Sequence, residues 1–448
     1  MEPDTLEAFV VQFRKYKEDR VARNSFYSVV QFIVPTLLLL GVTPILIRYM
    51  GTGHYGLWML ATSALGLMSI AEFGLNTAIA KFIAEYMASK DTNALAIVVS
   101  GGFIAYVLLG TVLVIPLYVY SPALAEVFKS SETLSTAQIG SVIKIISLGL
   151  APLLLRSYAM AIPIGLQRFE IPVVITIGYQ ILSYAAALIV ILLGGSVALV
   201  VGSTVGVLWI AAFGALLIAW RMLKPLHLQY LQVLSRKTLQ KLFSFALMSG
   251  ISGIGSRIFS FADRLAVGAV LGLEAVAYYS VIISVAAKIL QLGDVLASAL
   301  MPAVSAWMAS GTIRRAQAYF LRATGAVLAI NFIVANVLLG LSAPFLRLWM
   351  GELFADQALL PFRILIVIYA LISLNAPAYH VANGIGIPWL NALGSLLGGS
   401  LTIGLILWLG NMSGLMGVAV ANAGYLFNFL LIIVTIGFFQ SKIQKTSP

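Results

Sequence analysis

Seven ionisable residues lie inside long apolar stretches of the sequence, where a charge is costly. They are Glu72, Arg156, Arg257, Asp263, Arg264, Lys288 and Asp294. A charged group in hydrocarbon costs about 2.5–3.5 kcal/mol even on lenient scales, so such groups usually face protein or water. Cationic side chains there can bind a phosphate or diphosphate, and carboxylates can bind Na⁺ or exchange a proton.

The four cations are the candidate substrate-binding residues, namely Arg257, Arg156, Lys288 and Arg264. Arg257 and Arg264 are seven residues apart and therefore share one face of a helix. The acids Glu72, Asp294 and Asp263 are the candidates for ion coupling or gating. The alternative for each charge is structural, because an ion pair or a cap also holds helices together.

The sequence gives little support for metal binding, nucleotide binding or enzymatic catalysis. The chain has no cysteine, and its three histidines are widely separated, so we expect no metal site. There is no phosphate-binding G-x-x-x-x-G-K-[ST] motif. A membrane enzyme acting on diphosphates would need clustered acids to hold Mg²⁺, and none occurs at ligand spacing. We therefore expect a protein that is not an enzyme and has no cofactor, with H⁺ or Na⁺ coupling left open.

The composition identifies the elements that must position these charges. Of 448 residues, 61% are hydrophobic and 10% are charged, with a mean hydropathy of +1.01. Soluble domains carry about 25% charged residues. Twelve apolar runs reach the length of about 20 residues that a membrane-spanning helix needs. The prediction is an all-α polytopic membrane protein with about twelve transmembrane helices, in two pseudo-symmetric six-helix lobes around a central cavity.

The predicted organisation has four parts. Residues 1–24 form an amphipathic N-terminal segment, and residues 25–220 hold spans 1–6 as an N-lobe. Residues 221–242 form a basic cytoplasmic linker between the lobes, and residues 243–448 hold spans 7–12 as a C-lobe. Most of the 27 Lys and Arg residues fall on one side of this arrangement, which places both termini in the cytoplasm. The net charge of +11 follows from this bias, so no nucleic-acid partner is expected.

The two halves show weak internal similarity. YMGTGHYGLW (49–58) parallels VLGLEAVAYYS (270–280), and YAMAIPIGLQRFEIP (158–172) parallels YHVANGIGIP (379–388). Glu72 and Asp294 fall at matching places in this alignment. Repeats of the same orientation imply a pseudo-two-fold axis along the membrane normal.

The N-terminal region resembles a known family. Pro35 and Pro44 lie in the first span, Met50-Gly51 is followed by Tyr55-Gly56, and Glu72-Phe73-Gly74-Leu75 precedes an Ala-rich segment. This pattern is similar to O-antigen and exopolysaccharide flippases of the Wzx type, within the multidrug/oligosaccharidyl-lipid/polysaccharide (MOP) exporter superfamily. Glu72 is a departure, since many relatives would have Asp there.

The resemblance implies export of a lipid-diphosphate-linked oligosaccharide across the cytoplasmic membrane by alternating access, for cell-surface polysaccharide biosynthesis. The expected partners are a polyprenyl-diphosphate-linked oligosaccharide, the lipid bilayer and other polysaccharide-assembly proteins. The alternatives are a MATE-like ion-coupled exporter of small molecules and a lipid II flippase. A membrane enzyme acting on glycans is the less favoured alternative.

The orientation can be tested with single cysteines, because the natural chain contains none. Thr52→Cys and Ser130→Cys lie on the predicted outer side and should react with a membrane-impermeant maleimide added to intact cells. Thr238→Cys and Ser310→Cys lie on the predicted inner side and should react only after the cells are permeabilised. The reverse labelling pattern would contradict the predicted orientation.

Overall fold

The computed structural model describes residue 27 and residues 29–127, 135–224, 235–310 and 312–446. In the first half, the helices are α1 (Val29–Met50), α2 (Thr52–Met68), α3 (Leu75–Ser89), α4 (Thr92–Val119), α5 (Ser121–Glu126), α6 (Thr136–Gly165), α7 (Glu170–Leu192) and α8 (Val197–Leu223). In the second half, they are α9 (Arg236–Arg257), α10 (Asp263–Leu271), α11 (Leu273–Ala297), α12 (Leu300–Ala309), α13 (Ile313–Met350), α14 (Glu352–Ser373), α15 (Ala376–Gly384), α16 (Pro388–Ala421) and α17 (Leu430–Thr446). These described segments contain no β-strand.

Several helices begin at a polar residue that the sequence places just before an apolar run. The side chains of Asp91, Ser196 and Ser235 each accept a hydrogen bond from the backbone N–H three residues later. Ser135 and Gln138 form a reciprocal capping box at the start of α6. Such caps satisfy N–H groups that have no partner within the helix.

The predicted all-α polytopic class is confirmed. In the described part of the chain, nine helices are long and apolar enough to cross a membrane, and one bent pair adds a tenth span. The run Pro388–Ser441 contains two of the predicted spans, because the backbone is non-helical at Ser413 and Gly414. The remaining predicted span corresponds to α9 and α10, which a five-residue π-helical turn, Ile258–Ala262, joins. Each of the twelve predicted spans therefore coincides with a helical run.

Some segments outside the predicted spans are also helical. The chain bends by 49° after the second span and continues as α3, where the sequence predicted a cytoplasmic connection. Helix α9 begins at Arg236, inside the predicted linker 221–242, because Ser235 caps it. Residues 225–234 of that linker and the predicted amphipathic segment 1–24 lie outside the described residues.

The paired sequence motifs of the two halves adopt matching backbone conformations. Gly51 before α2 and Gly272 before α11 have φ values of 78° and 86°, with extended ψ values. Helices α6 and α15 end in the same hydrogen-bond pattern, in which the N–H of Arg168 bonds to Pro163 and that of Ile387 bonds to Ala382. This shared geometry supports the predicted internal repeat.

Glycine residues allow the two halves to pack closely. Helix α2 lies against α11, and a Cβ at Gly56 would overlap the carbonyl oxygen of Leu273. Helix α3 lies against α9, where a Cβ at Gly250 would lie 2.5 Å from the carbonyl carbon and oxygen of Phe73. Glycine allows backbones to approach closely between membrane helices. The second contact brings the Glu-Phe-Gly-Leu motif against the helix that contains Arg257.

Candidate functional site

A cavity of about 320 Å³ lies where the short turn after α2, the start of α3, the second half of α6 and the second half of α9 meet. Its ionisable lining residues are Glu72, Arg156 and Arg257. Its neutral polar lining includes Ser69, Asn76, Thr77, Ser157 and Ser249. Because α9 follows the central linker, the cavity lies between the two halves of the sequence.

Glu72 is the buried acid of this cavity, with 7% of its surface exposed. A short 3₁₀ turn, Ser69–Glu72, ends at Phe73 and Gly74, which both have left-handed backbone conformations with φ values of 41° and 73°. This reversal places the carboxylate at the bend between α2 and α3. Any side chain at Gly74 would collide with Ser249 and with the backbone of Gly250.

The Glu72 carboxylate accepts hydrogen bonds from groups on three other helices. Oε1 accepts a hydrogen bond from Nη2 of Arg257 at 2.9 Å. Oε2 accepts hydrogen bonds from the Tyr106 hydroxyl at 3.1 Å and from the Ser157 hydroxyl. A buried carboxylate needs such partners, because its desolvation is otherwise uncompensated.

Arg257 links the two halves of the sequence. One guanidinium nitrogen binds Glu72, and the other donates to the hydroxyl of Ser69. The Arg257 side chain keeps 38% of its surface exposed, whereas that of Glu72 keeps 9%. The guanidinium therefore has room for a further anion on its open side.

Arg156 is the second cation of the cavity, and it makes no ion pair with any described residue. Its guanidinium carbon lies 5.1 Å from the ring centroid of Tyr179 on α7. Nη1 lies 3.7 Å from the sulfur of Met160, and Nε is buried without a hydrogen-bond partner. A cation held by an aromatic ring and a thioether retains its capacity for an anionic ligand.

Asp263 and Arg264 form a separate polar cluster on α10. Asp263 is 1% exposed and accepts hydrogen bonds from the Tyr279 hydroxyl at 2.8 Å and from the N–H of Arg264. Asn422 also donates to the Tyr279 hydroxyl, at 3.0 Å. Arg264 donates to the carbonyl oxygen of Ser260 in the π-helical turn and does not line the cavity.

Lys288 and Asp294 lie on α11, away from the cavity lining. The ammonium of Lys288 donates to Gln291 at 3.0 Å and lies 5.5 Å from the ring centroid of Phe32. Asp294 lies 2.9 Å from Nε2 of His380 and keeps 59% of its side chain exposed. Of the seven predicted residues, the structure thus brings together Glu72, Arg156 and Arg257 at one cavity.

The sequence analysis missed the neutral residues that complete this site. Tyr106 and Ser157 bind the Glu72 carboxylate, and Asn76 donates to the carbonyl of Ser157 at 2.6 Å. Ser69 binds Arg257. Hydroxyl and amide residues are frequent in membrane helices, so their type gives no local signal. Only the packing of α3, α4 and α6 around Glu72 identifies them.

Comparison with known proteins gives the family. Residues 21–308 match a family described as polysaccharide biosynthesis protein. The chain belongs to this family. It is also 22% identical over 417 residues to the uncharacterized membrane protein EpsK of Bacillus subtilis (strain 168), covering 89% of this chain and 79% of EpsK. The multi-pass membrane architecture predicted from the sequence agrees with this assignment.

Solved structures show the fold. A multidrug-resistance MATE family transporter of the MOP superfamily, in an inward-facing conformation, matches with a TM-score of 0.74 at 14% identity, over 94% of this chain and all of that one. The lipid II flippase MurJ, in an inward closed conformation, matches with a TM-score of 0.65 at 14% identity, over 94% and 93%. A MOP superfamily transporter from Pyrococcus furiosus, described as having a reversed polarity of its binding pocket, matches with a TM-score of 0.63 at 15% identity, over 95% of each chain. The predicted fold of about twelve helices in two lobes is therefore confirmed.

The strength of the contact between Glu72 and Arg257 can be measured with a double-mutant cycle. Glu72→Gln and Arg257→Gln should each lower the thermal unfolding midpoint of the purified protein. The double variant should lose less stability than the sum of the two, with a coupling of about 1 kcal/mol or more, because one carboxylate and one guanidinium share the contact.

The control is the exposed ion pair between Arg347 and Glu352, 3.1 Å apart. Arg347→Gln and Glu352→Gln should show a smaller coupling, because water screens exposed charges. Additive effects at Glu72 and Arg257 would show that their contact contributes nothing to the fold.

Proposed function

We propose that this protein translocates a lipid-diphosphate-linked oligosaccharide across the cytoplasmic membrane by alternating access of the cavity between its two halves. The family match and the MOP fold support a transporter in polysaccharide biosynthesis. The observation that supports this cargo is the pair of guanidinium groups, Arg156 and Arg257, that line one cavity.

The charge balance of the cavity favours an anionic cargo. Its described lining contains two arginines and one carboxylate, and Arg257 already occupies that carboxylate. Arginine binds a diphosphate in a bidentate fashion and replaces the water that the headgroup loses. The polyprenyl tail stays in the bilayer while the headgroup crosses between the two halves.

The headgroup also competes with Glu72 for Arg257. Both ligands are anionic, and the open side of the Arg257 guanidinium faces the cavity. A diphosphate that binds Arg156 and Arg257 together weakens the hold of Arg257 on the bend after α2. Cargo binding is thereby linked to the contact between the two halves.

The two transport alternatives differ in cargo. A MATE-like exporter of organic cations would need an unoccupied acid in its cavity, and Glu72 is occupied by Arg257, Tyr106 and Ser157. A lipid II flippase would share the diphosphate chemistry and differ in the glycan.

The enzyme alternative needs a different cavity. The described cavity lining has one acid, whereas a Mg²⁺-dependent enzyme acting on a diphosphate would need several.

The proposal includes location and partners. The protein lies in the cytoplasmic membrane with both termini inside, as the distribution of Lys and Arg predicts. Its partners are the polyprenyl-diphosphate-linked oligosaccharide, the bilayer and other polysaccharide-assembly proteins. Lys288 and Arg264 stay proposed cargo-binding residues, and neither lines the described cavity.

Transport can be measured with purified protein in vesicles that contain a fluorescent polyprenyl-diphosphate oligosaccharide. Arg156→Gln and Arg257→Gln should each lower the flipping rate about tenfold or more, because each removes charged hydrogen bonds to the diphosphate. Arg257→Lys should restore part of the rate, since it keeps the charge but loses the bidentate geometry.

Arg347→Gln is the matched control, because Arg347 is an exposed arginine in a salt bridge away from the cavity. It should leave the rate unchanged. An unchanged rate in the properly folded Arg156→Gln and Arg257→Gln variants would exclude these two residues from cargo binding.

Glu72, Asp294 and Asp263 remain the proposed sites of ion coupling or gating. A carboxylate that takes up a proton or binds Na⁺ is held less strongly by its cationic partner. The pair can therefore be formed in one state of the transporter and broken in the other. Glu72→Gln and Asp294→Asn should keep folded protein but alter the dependence of the flipping rate on an imposed pH or Na⁺ gradient. If both variants keep the wild-type dependence, neither carboxylate couples transport to an ion.

A further inference from the structure

Two exposed cations lie away from the cavity, one in each half of the chain. Lys144 is on α6 and Arg363 is on α14, and neither residue lines the cavity. Neither forms an ion pair with a described residue. No acidic side chain in the described part of the chain therefore neutralises either charge.

The two cations occupy matching positions in the internal repeat. Helices α6 and α15 end in the same hydrogen-bond pattern, which the N–H of Arg168 closes in the first half and that of Ile387 closes in the second. Lys144 lies 24 residues before Arg168, and Arg363 lies 24 residues before Ile387. The repeat thus places one cation at the same position in each half.

Both cations lie on the side of their helix that faces lipid. Leu153, which lines the cavity, comes nine residues after Lys144, so these two side chains lie on opposite faces of α6. One turn after each cation is an exposed aliphatic residue, namely Leu148 at 46% and Val367 at 45%. Exposed aliphatic side chains on a membrane-spanning helix contact the bilayer. A ligand for Lys144 or Arg363 therefore comes from the bilayer.

Both cations lie at the polar end of an apolar run. Lys144 precedes IISLGLAPLLL (145–155), and Arg363 precedes ILIVIYALI (364–372). The ammonium of Lys144 lies 5.8 Å from the ring centroid of Tyr118, whose side chain is 43% exposed. Exposed tyrosines are typical of the boundary between membrane and water. This boundary is the level at which lipid phosphate groups lie.

The guanidinium of Arg363 is held in place and keeps open donors. Its Nε donates to the hydroxyl of Ser342 on α13 at 2.8 Å. Its two terminal nitrogens bond to no described residue. The nearest acid on the same face, Asp356, is seven residues away, or about 10 Å along the helix. A guanidinium fixed in this way presents its terminal N–H groups to a phosphate.

We propose that Lys144 and Arg363 each bind the phosphate of one anionic phospholipid, so that the protein has two lipid sites related by its internal repeat. The lipids lie in the leaflet where α6 and α14 begin, which is the outer leaflet in the proposed orientation. A zwitterionic lipid balances its phosphate with its own ammonium group, whereas an anionic lipid does not. A cation without an acidic partner therefore favours the anionic lipid. The proposal does not depend on the cargo, because neither residue lines the cavity.

The two sites can be counted by native mass spectrometry of the purified protein with phosphatidylglycerol. Lys144→Gln and Arg363→Gln should each retain one phosphatidylglycerol molecule fewer than the wild type, and the double variant should retain two fewer. The affinity of each altered site should fall about tenfold, because the variant loses a charge-assisted hydrogen bond to the phosphate. Arg363→Lys should keep its lipid, since it keeps the charge and loses only the bond from Nε to Ser342.

The controls separate lipid binding from effects on the fold. Arg347→Gln alters an exposed arginine that is paired with Glu352, and it should retain as many phosphatidylglycerol molecules as the wild type. Lys144→Gln removes no hydrogen bond to a described residue, so its thermal unfolding midpoint should not change. With phosphatidylcholine of the same acyl chains, the variants should match the wild type. Inorganic phosphate should not displace phosphatidylglycerol, because it lacks the acyl chains that contact the exposed aliphatic residues.

Four results would overturn the proposal. The first is an unchanged phosphatidylglycerol count in the folded double variant. The second is an equal loss of phosphatidylcholine, which would show that the net charge of the headgroup is not recognised. The third is displacement by inorganic phosphate, which would show that the sites take a free anion. The fourth is a lower unfolding midpoint in Lys144→Gln together with lipid loss, which would assign that residue to the fold. None of these results bears on the proposed function, which is tested with the cargo.

Discussion

The burial of the Glu72 carboxylate is the constraint on which the arrangement of the cavity depends. A charge that is 7% exposed inside a membrane protein must be matched by fixed donors. Those donors come from α4, α6 and α9, through Tyr106, Ser157 and Arg257. Satisfying one acid thus sets the relative positions of three helices and the bend between α2 and α3.

The bend and the ion pair depend on each other. The left-handed conformations of Phe73 and Gly74 direct Glu72 inward, and the close approach of Gly250 to Phe73 brings α9 within reach. A larger residue at Gly250 would push α9 away from the bend and so separate Arg257 from Glu72. The Glu-Phe-Gly-Leu motif is therefore a packing unit as well as a source of charge.

Much of the fold could be predicted from the sequence, because hydropathy and length identify membrane helices directly. The pairing of the charged residues could not be predicted from the sequence. Glu72 and Arg257 are 185 residues apart, and no periodicity links them. In the structure, Glu72 pairs with Arg257 and Asp294 pairs with His380. The internal repeat also fails at these acids, since Glu72 is buried at a bend and Asp294 is exposed on a continuous helix.

The π-helical turn Ile258–Ala262 has a consequence for how the seventh span can move. A π-helical turn holds one residue more than the corresponding α-helical turn. Converting it to α-helix would rotate the following segment by about 100° relative to Arg257. That rotation would withdraw Asp263 from Tyr279. The extra residue thus sets the rotation of the second part of the span relative to the first. It keeps the ligands of Arg257 and those of Asp263 on separate sides of one helix.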